Sequence, residues 1–70
     1  MFTIDVAIKK TSTKFCGHKV IGYKVIKVDD GRMLTYFTDK SELLDVISKI
    51  NERAINEKYG VGWNVISEDK

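Results

Sequence analysis

The sequence predicts a small α+β domain over residues 1–70. It is expected to hold a small antiparallel sheet of three strands, a short fourth strand and one long amphipathic helix on one face, in the order β-β-β-α-(β). Three observations carry this. Residues 2–9 alternate between apolar and polar side chains. An Asp-Gly pair separates two runs rich in β-branched and aromatic residues. Residues 39–59 repeat apolar side chains at helical spacing and end at a glycine.

In residues 2–9, Phe2, Ile4, Val6 and Ile8 fall on one side and Thr3, Asp5, Ala7 and Lys9 on the other. That period belongs to a half-buried strand. Residues 11–18 break the alternation and read as a loop. Residues 19–28 read as the second strand and Met33 to Phe37 as the third. Between them, Gly31 can take positive φ at no steric cost and the aspartates before it suit a turn. Either a two-residue turn at Asp30-Gly31 or a three-residue loop with Gly31 at a bulge fits, and the two differ in register. In both, apolar residues fall on both faces of the second and third strands, and one helix covers only one face.

The helix is expected to begin at Thr38 or Asp39. Asp39 with Glu42 three residues on has the pattern of a capping box. Leu43, Val46, Ile47, Ile50 and Ala54 form one stripe, widened on a flank by Leu44 and Ile55. Truncating Ile47 or Ile50 to alanine is expected to cost about 2–5 kcal/mol. Gly60 is read as the C-terminal stop. Residues 61–66 fit a short fourth strand, followed by a polar tail.

A chain of this length buries only about 60% of the surface its unfolded form exposes. Small domains of this kind draw on disulfides, metals or partner subunits. Cys16 is the only cysteine and His18 the only histidine, which leaves self-association or a partner as the expected supplement. One free thiol fits a reduced, cytoplasmic setting. No segment has the roughly 20 apolar residues that span a membrane, and the alternating start lacks the apolar run of a signal peptide. Lysine makes up 10 of the 12 basic residues and proline is absent, a composition that fits an AT-rich phage or mobile element.

The net charge of +2 hides an asymmetry. Residues 1–28 hold six lysines against Asp5 alone, whereas residues 29–70 hold six bases against nine acids. Such a split governs the choice of partner more than the fold.

The chemical constellations are thin. Cys16-Gly17-His18 offers two metal-ligand types, short of the three or four a zinc site needs, and nothing orients His18 as a base for the thiol. Gly60-Val61-Gly62 closes a helix, where a phosphate loop would open one. Asp29 and Asp30 read as turn residues. No catalytic residue, cofactor or metal is therefore expected. Lys9, Lys10, Lys14, Lys19 and His18 gather around the first hairpin with Phe15 among them, a grouping suited to gripping phosphate and stacking a base. Trp63 and Tyr59, with Tyr23 and Tyr36 on the two-faced sheet, are candidate interface anchors.

Three antiparallel strands followed by one helix, over roughly residues 19–56 with the Asp-Gly-Arg turn and the Phe-Thr-Asp run, resembles the arrangement of integrase N-terminal arms and of AP2-type DNA-binding domains. The resemblance is one of topology and implies a sheet that meets duplex DNA.

Two functions follow as expectations. The first is a non-catalytic protein-binding module, a small regulator or inhibitor of phage type that acts as a homo-oligomer or on a host protein. The alternative is a nucleic-acid-binding domain that uses the basic first hairpin and the three-stranded sheet. The candidate contact residues are Lys9, Lys10, Lys14, Phe15, Lys19, Tyr23, Tyr36, Tyr59 and Trp63. No membrane partner is expected.

Overall fold

A computed structural model of the chain describes residues 2–69. It contains β1 (Phe2–Phe15), β2 (His18–Lys27), β3 (Met33–Phe37), α1 (Lys40–Asn56) and β4 (Val61–Glu68), an α+β fold. The strands form one sheet in the order β3-β2-β1-β4. β2 is antiparallel to β1 and to β3. β4 lies parallel to β1, so the sheet is mixed. Helix α1 carries the chain from the β3 edge to the β4 edge.

The alternation of residues 2–9 does what period two requires. Val6 and Ile8 face the helix and are fully buried, with Val25 of β2 beside them and Leu43 and Ile47 above. Ile4, Tyr23, Leu34, Phe37, Trp63 and Val65 pack around this centre. Each large side chain taken out of water here contributes about 1.5–3 kcal/mol.

Two bulges decide which side chains join the core. Val25 pairs with Thr35 but Ile26 pairs with Met33, so Leu34 is an extra residue in β3. The bulge turns Leu34 into the core and leaves Met33 on the opposite face. In β4 the register shifts between Val65 and Ser67, opposite Val6 and Ala7. Past that shift Glu68 comes to the helix side, where its carboxylate meets Lys40 Nζ at 2.6 Å.

The helix opens at Asp39, as expected. Its extended backbone (φ −115°, ψ 117°) leaves the carboxylate free to accept the Ser41 N–H at 2.9 Å and the Ser41 hydroxyl at 2.8 Å. These bonds hold the Asp39 carboxyl below its usual range. Of the stripe, Leu43, Ile47 and Ala54 are buried, while Val46 and Ile50 are half-buried. The flanking Leu44 and Ile55 are exposed and do not widen the buried face.

Several expected boundaries are corrected. Residues 11–15 are not loop: β1 runs on to Phe15. Their side chains lie mostly in solvent on both faces, so no burial imposes an alternating pattern on them. The β2–β3 connection follows neither expected register. Gly31 N–H donates to the Lys27 carbonyl and Lys27 N–H to that of Arg32, both at 2.8 Å, closing a loop of residues 28–31. Gly31 takes its left-handed conformation there (φ 72°), and Asp30 Oδ1 accepts the Arg32 N–H. The helix ends at Asn56 rather than at Gly60. Gly60 serves by close approach: a Cβ on it would sit 2.5 Å from Ala54 Cα. The fourth strand extends two residues past the expected 66.

Candidate functional site

The first hairpin grows out of the sheet as a free two-stranded ribbon. β3 reaches only as far along β2 as Tyr23, and β4 only as far along β1 as Ile8. Beyond those points β1 and β2 pair with each other alone, out to Phe15 and His18. The molecule measures 47 × 23 × 18 Å, long in one dimension for its size.

The tip fixes the register of the ribbon. Cys16 (φ 51°) and Gly17 (φ 80°) are the two turn residues, and both are left-handed. Two positive φ values make a type I′ turn, whose twist matches that of the strands it joins. Phe15 and His18 close it, and the pairs then run Lys14–Lys19, Thr13–Val20, Ser12–Ile21, Thr11–Gly22, Lys10–Tyr23 and Lys9–Lys24.

Cross-strand partners share a face, so this register sorts the lysines. Lys14, Lys19 and Lys10 lie on the side continuous with the helix-covered face. Lys9 and Lys24 lie on the opposite, open face. Lys14 and Lys19 stand directly opposite one another, as do Lys9 and Lys24. Like charges directly opposite destabilise a strand pair. Residues 6–28 contain no acid, and among the described residues neither Lys14 nor Lys19 has a carboxylate within salt-bridge distance.

The acids nearest the root are already engaged. Asp69 N–H donates to the Ile8 carbonyl at 2.9 Å, and its carboxylate accepts the Lys10 N–H at 3.1 Å. Glu68 holds Lys40 and raises its pKa. Lys40 Nζ lies 5.9 Å from the Tyr23 ring. These contacts anchor the ribbon where it leaves the sheet and leave its tip uncompensated.

The remaining candidates fall elsewhere. Phe15 is 73% exposed at the tip. Tyr23 is half-buried beside Phe37 at the core margin. Tyr36 crosses the open face over Gly22, so that a Cβ there would overlap its hydroxyl. Tyr59 is 76% exposed and Trp63 half-buried, both beside the start of β1. At 3.3–3.4 Å per residue, that end lies roughly 40 Å from Phe15. The structure thus gathers the lysines and Phe15 on the ribbon, with Lys10, Lys14 and Lys19 on one face and Lys9 and Phe15 on the other, and separates them from Tyr59 and Trp63. Lys24, absent from the expected set, joins through the hairpin register, and the only sequence signal for it is the Cys-Gly turn.

Among the described residues, no group of three or more His, Cys, Asp or Glu side chains is placed to hold a metal ion. Among the same described residues, no helix is long and apolar enough to cross a membrane. By architecture the chain is a small α+β domain, a four-stranded mixed sheet crossed by one helix. No protein-family model, curated protein or solved structure matches it.

Proposed function

We propose that this chain is a non-catalytic binding module that grips an anionic polymer, specifically nucleic acid, with the tip of its β-ribbon. The observation that carries the reading is the pairing of Lys14 with Lys19 on an exposed ribbon whose own stretch of chain has no acid. A side-by-side lysine pair weakens the hairpin by repulsion. A phosphate between the two ammonium groups converts that repulsion into attraction. Lys10, on the same face, adds a third cation, and Phe15, exposed at the tip on the other face, offers a surface on which an unpaired base stacks. A two-stranded ribbon also has the dimensions that the major groove of B-DNA admits. The working compartment is the cytoplasm, where an exposed Cys16 stays reduced.

Fluorescence anisotropy with a labelled duplex tests this. Three phosphate contacts give a slope of log K against log salt of roughly −2.7. Replacing both Lys14 and Lys19 by alanine is expected to weaken binding and flatten that slope by about 2. Failure to bind duplex or single strand at about 50 mM salt overturns the reading. A shallow slope together with tighter binding to an acidic protein overturns it in favour of a protein ligand.

A further inference from the structure

The open face of the sheet carries a second site, independent of the ribbon tip. Alternation places Asp5, Ala7 and Lys9 of β1 on it, with Ile26 and Lys24 of β2 and Met33 and Tyr36 of β3. Val28 continues the β2 row, its N–H bonded to the Asp5 carbonyl at 3.0 Å. Among the described residues no element packs on this side, although Met33 is 58%, Val28 44% and Tyr36 42% exposed. An antiparallel face left to water is ordinarily polar.

The charges on this face have an order. Along β1 it reads Asp5, Ala7, Lys9, an acid and a base placed symmetrically about an apolar centre, each about 7 Å from Ala7. Ile26 lies directly opposite Ala7, and Met33 opposite Ile26, so the centre is an apolar row across three strands. We infer that a second copy of this chain covers the open face, related by a twofold axis that crosses the strands along this row.

The charge pattern chooses both the occupant and the axis. Rotation about a line through Ala7 and Ile26 lays β1 antiparallel on β1 of the second copy. Asp5 of each copy then meets Lys9 of the other, twice over. Val28 of each lies against the aliphatic stem of the other's Lys24. Ile26 and Met33 meet their own counterparts, as an isologous interface requires, while Ala7, 4% exposed, lies beneath the axis and is already covered by its strand neighbours. The alternative axis, along the strands, keeps every residue at its own level. It stacks Lys9 and Lys24 of one copy on Lys9 and Lys24 of the other, four ammonium groups together, and charge excludes it. In the chosen arrangement Asp5 of the second copy also relieves the Lys9–Lys24 repulsion within each sheet. Two sheets packed face to face lie about 10 Å apart, and the ribbons leave the dimer in opposite directions with their tips free.

A charge-swap cycle on the full chain tests the inference. Sedimentation velocity is expected to find a dimer for the unaltered protein. Asp5→Lys alone and Lys9→Asp alone each place like charges across the axis and are expected to weaken the dimer by about tenfold or more. The double variant, Asp5→Lys with Lys9→Asp, restores opposite charges and is expected to recover it. Asp5 also accepts a 3.0 Å hydrogen bond from Asn64, so the unaltered protein supplies a second readout. Carbodiimide coupling of a mixture of isotopically light and heavy chains is expected to join Asp5 of one copy to Lys9 of another. Within one copy these residues lie roughly 13 Å apart, too far for a zero-length bond. A monomer at every accessible concentration overturns the inference and leaves the face to a different protein. A dimer that ignores both single swaps and yields no Asp5–Lys9 link overturns it equally.

Discussion

Asn51 holds the peptide groups of Trp63 at both ends: its Oδ1 accepts the Trp63 N–H at 2.8 Å, and its Nδ2 donates to the Trp63 carbonyl at 3.2 Å. One side-chain amide on α1 thereby acts as a neighbouring strand for β4, the edge strand of the sheet. Exposed edges invite pairing with other chains, and this amide occupies part of one. The same two bonds place the C-terminal half of the helix over β4. A Cβ on the adjacent Gly62 would come within 2.9 Å of Asn51 Oδ1.

Replacing Asn51 by leucine removes both bonds while roughly keeping the volume. Two half-buried backbone groups then lose their partners, at a cost of about 1–3 kcal/mol. Asn51→Asp keeps the acceptor but turns a carboxylate oxygen toward the Trp63 carbonyl, and is expected to cost at least as much. Urea denaturation followed by Trp63 fluorescence measures both.

Two buried glycines are expected to respond differently to alanine. At Gly60 the new methyl meets the backbone of Ala54, with Cα at 2.5 Å and the carbonyl oxygen at 2.6 Å. A helix backbone cannot step aside, and the cost is expected to be about 2–4 kcal/mol. At Gly22 the clash is with the ring end of Tyr36, a movable side chain. Gly22→Ala is expected to cost within about 1 kcal/mol while displacing Tyr36. Thermal unfolding gives the energies, and the ring protons of Tyr36 report the displacement. Equal costs at the two sites are the result against this account.

The ribbon tip can be stabilised. Cys16 is the one non-glycine residue described with positive φ, a conformation that costs most L-residues about 1–2 kcal/mol and asparagine less. Cys16→Asn creates the Asn-Gly pair preferred in type I′ turns and is expected to add about 0.5–1 kcal/mol. Gly17→Ala is expected to lose about 1 kcal/mol through backbone strain, because nothing lies within 4 Å of a Cβ there. Amide exchange along Ser12–Ile21 is the measurement, since a protruding ribbon opens locally.

Acid is expected to loosen the start of the helix. The bonds from Ser41 depress the Asp39 pKa. A depressed carboxyl adds stability that is fully present above its unfolded pKa and is lost as pH falls through its folded value. Asp39→Asn keeps a capping oxygen without a titrating charge. It is therefore expected to flatten the acidic limb of the melting-temperature profile and leave the neutral region nearly unchanged. At the other extreme, Glu68 raises the Lys40 pKa. That contribution is present below the unfolded lysine pKa and fades as pH rises through the folded one. Glu68→Gln is expected to remove this alkaline dependence.

Some of this protein was legible in its sequence because burial imposes a period on a chain. Strand β1 as far as Lys9 and the helix with its Asp39 cap and its Leu43 and Ile47 contacts each have one face in the core, and the alternation or helical stripe records that face; strands β2, β3 and β4 were marked instead by β-branched and aromatic runs between turn residues. The basic character of the first hairpin was equally plain, as a count of six lysines against Asp5 alone in residues 1–28. The tertiary structure alone decided the rest. Residues 11–15 have mostly solvent on both sides, so no pattern marked them as strand, and the ribbon exists because a left-handed Cys16-Gly17 turn brings β2 back along β1. That turn also sets Lys14 against Lys19 and Lys9 against Lys24, pairings that hydropathy does not encode. The parallel docking of β4 beside β1 joins residues some 59 apart in the chain, such as Asp5 and Asn64, and the bulge in β3 chose Leu34 over Met33 for the core. Local periodicity reports which side of an element is dry. Which elements meet, and in what register, follows from contacts distant in sequence, and both proposed binding surfaces are products of register.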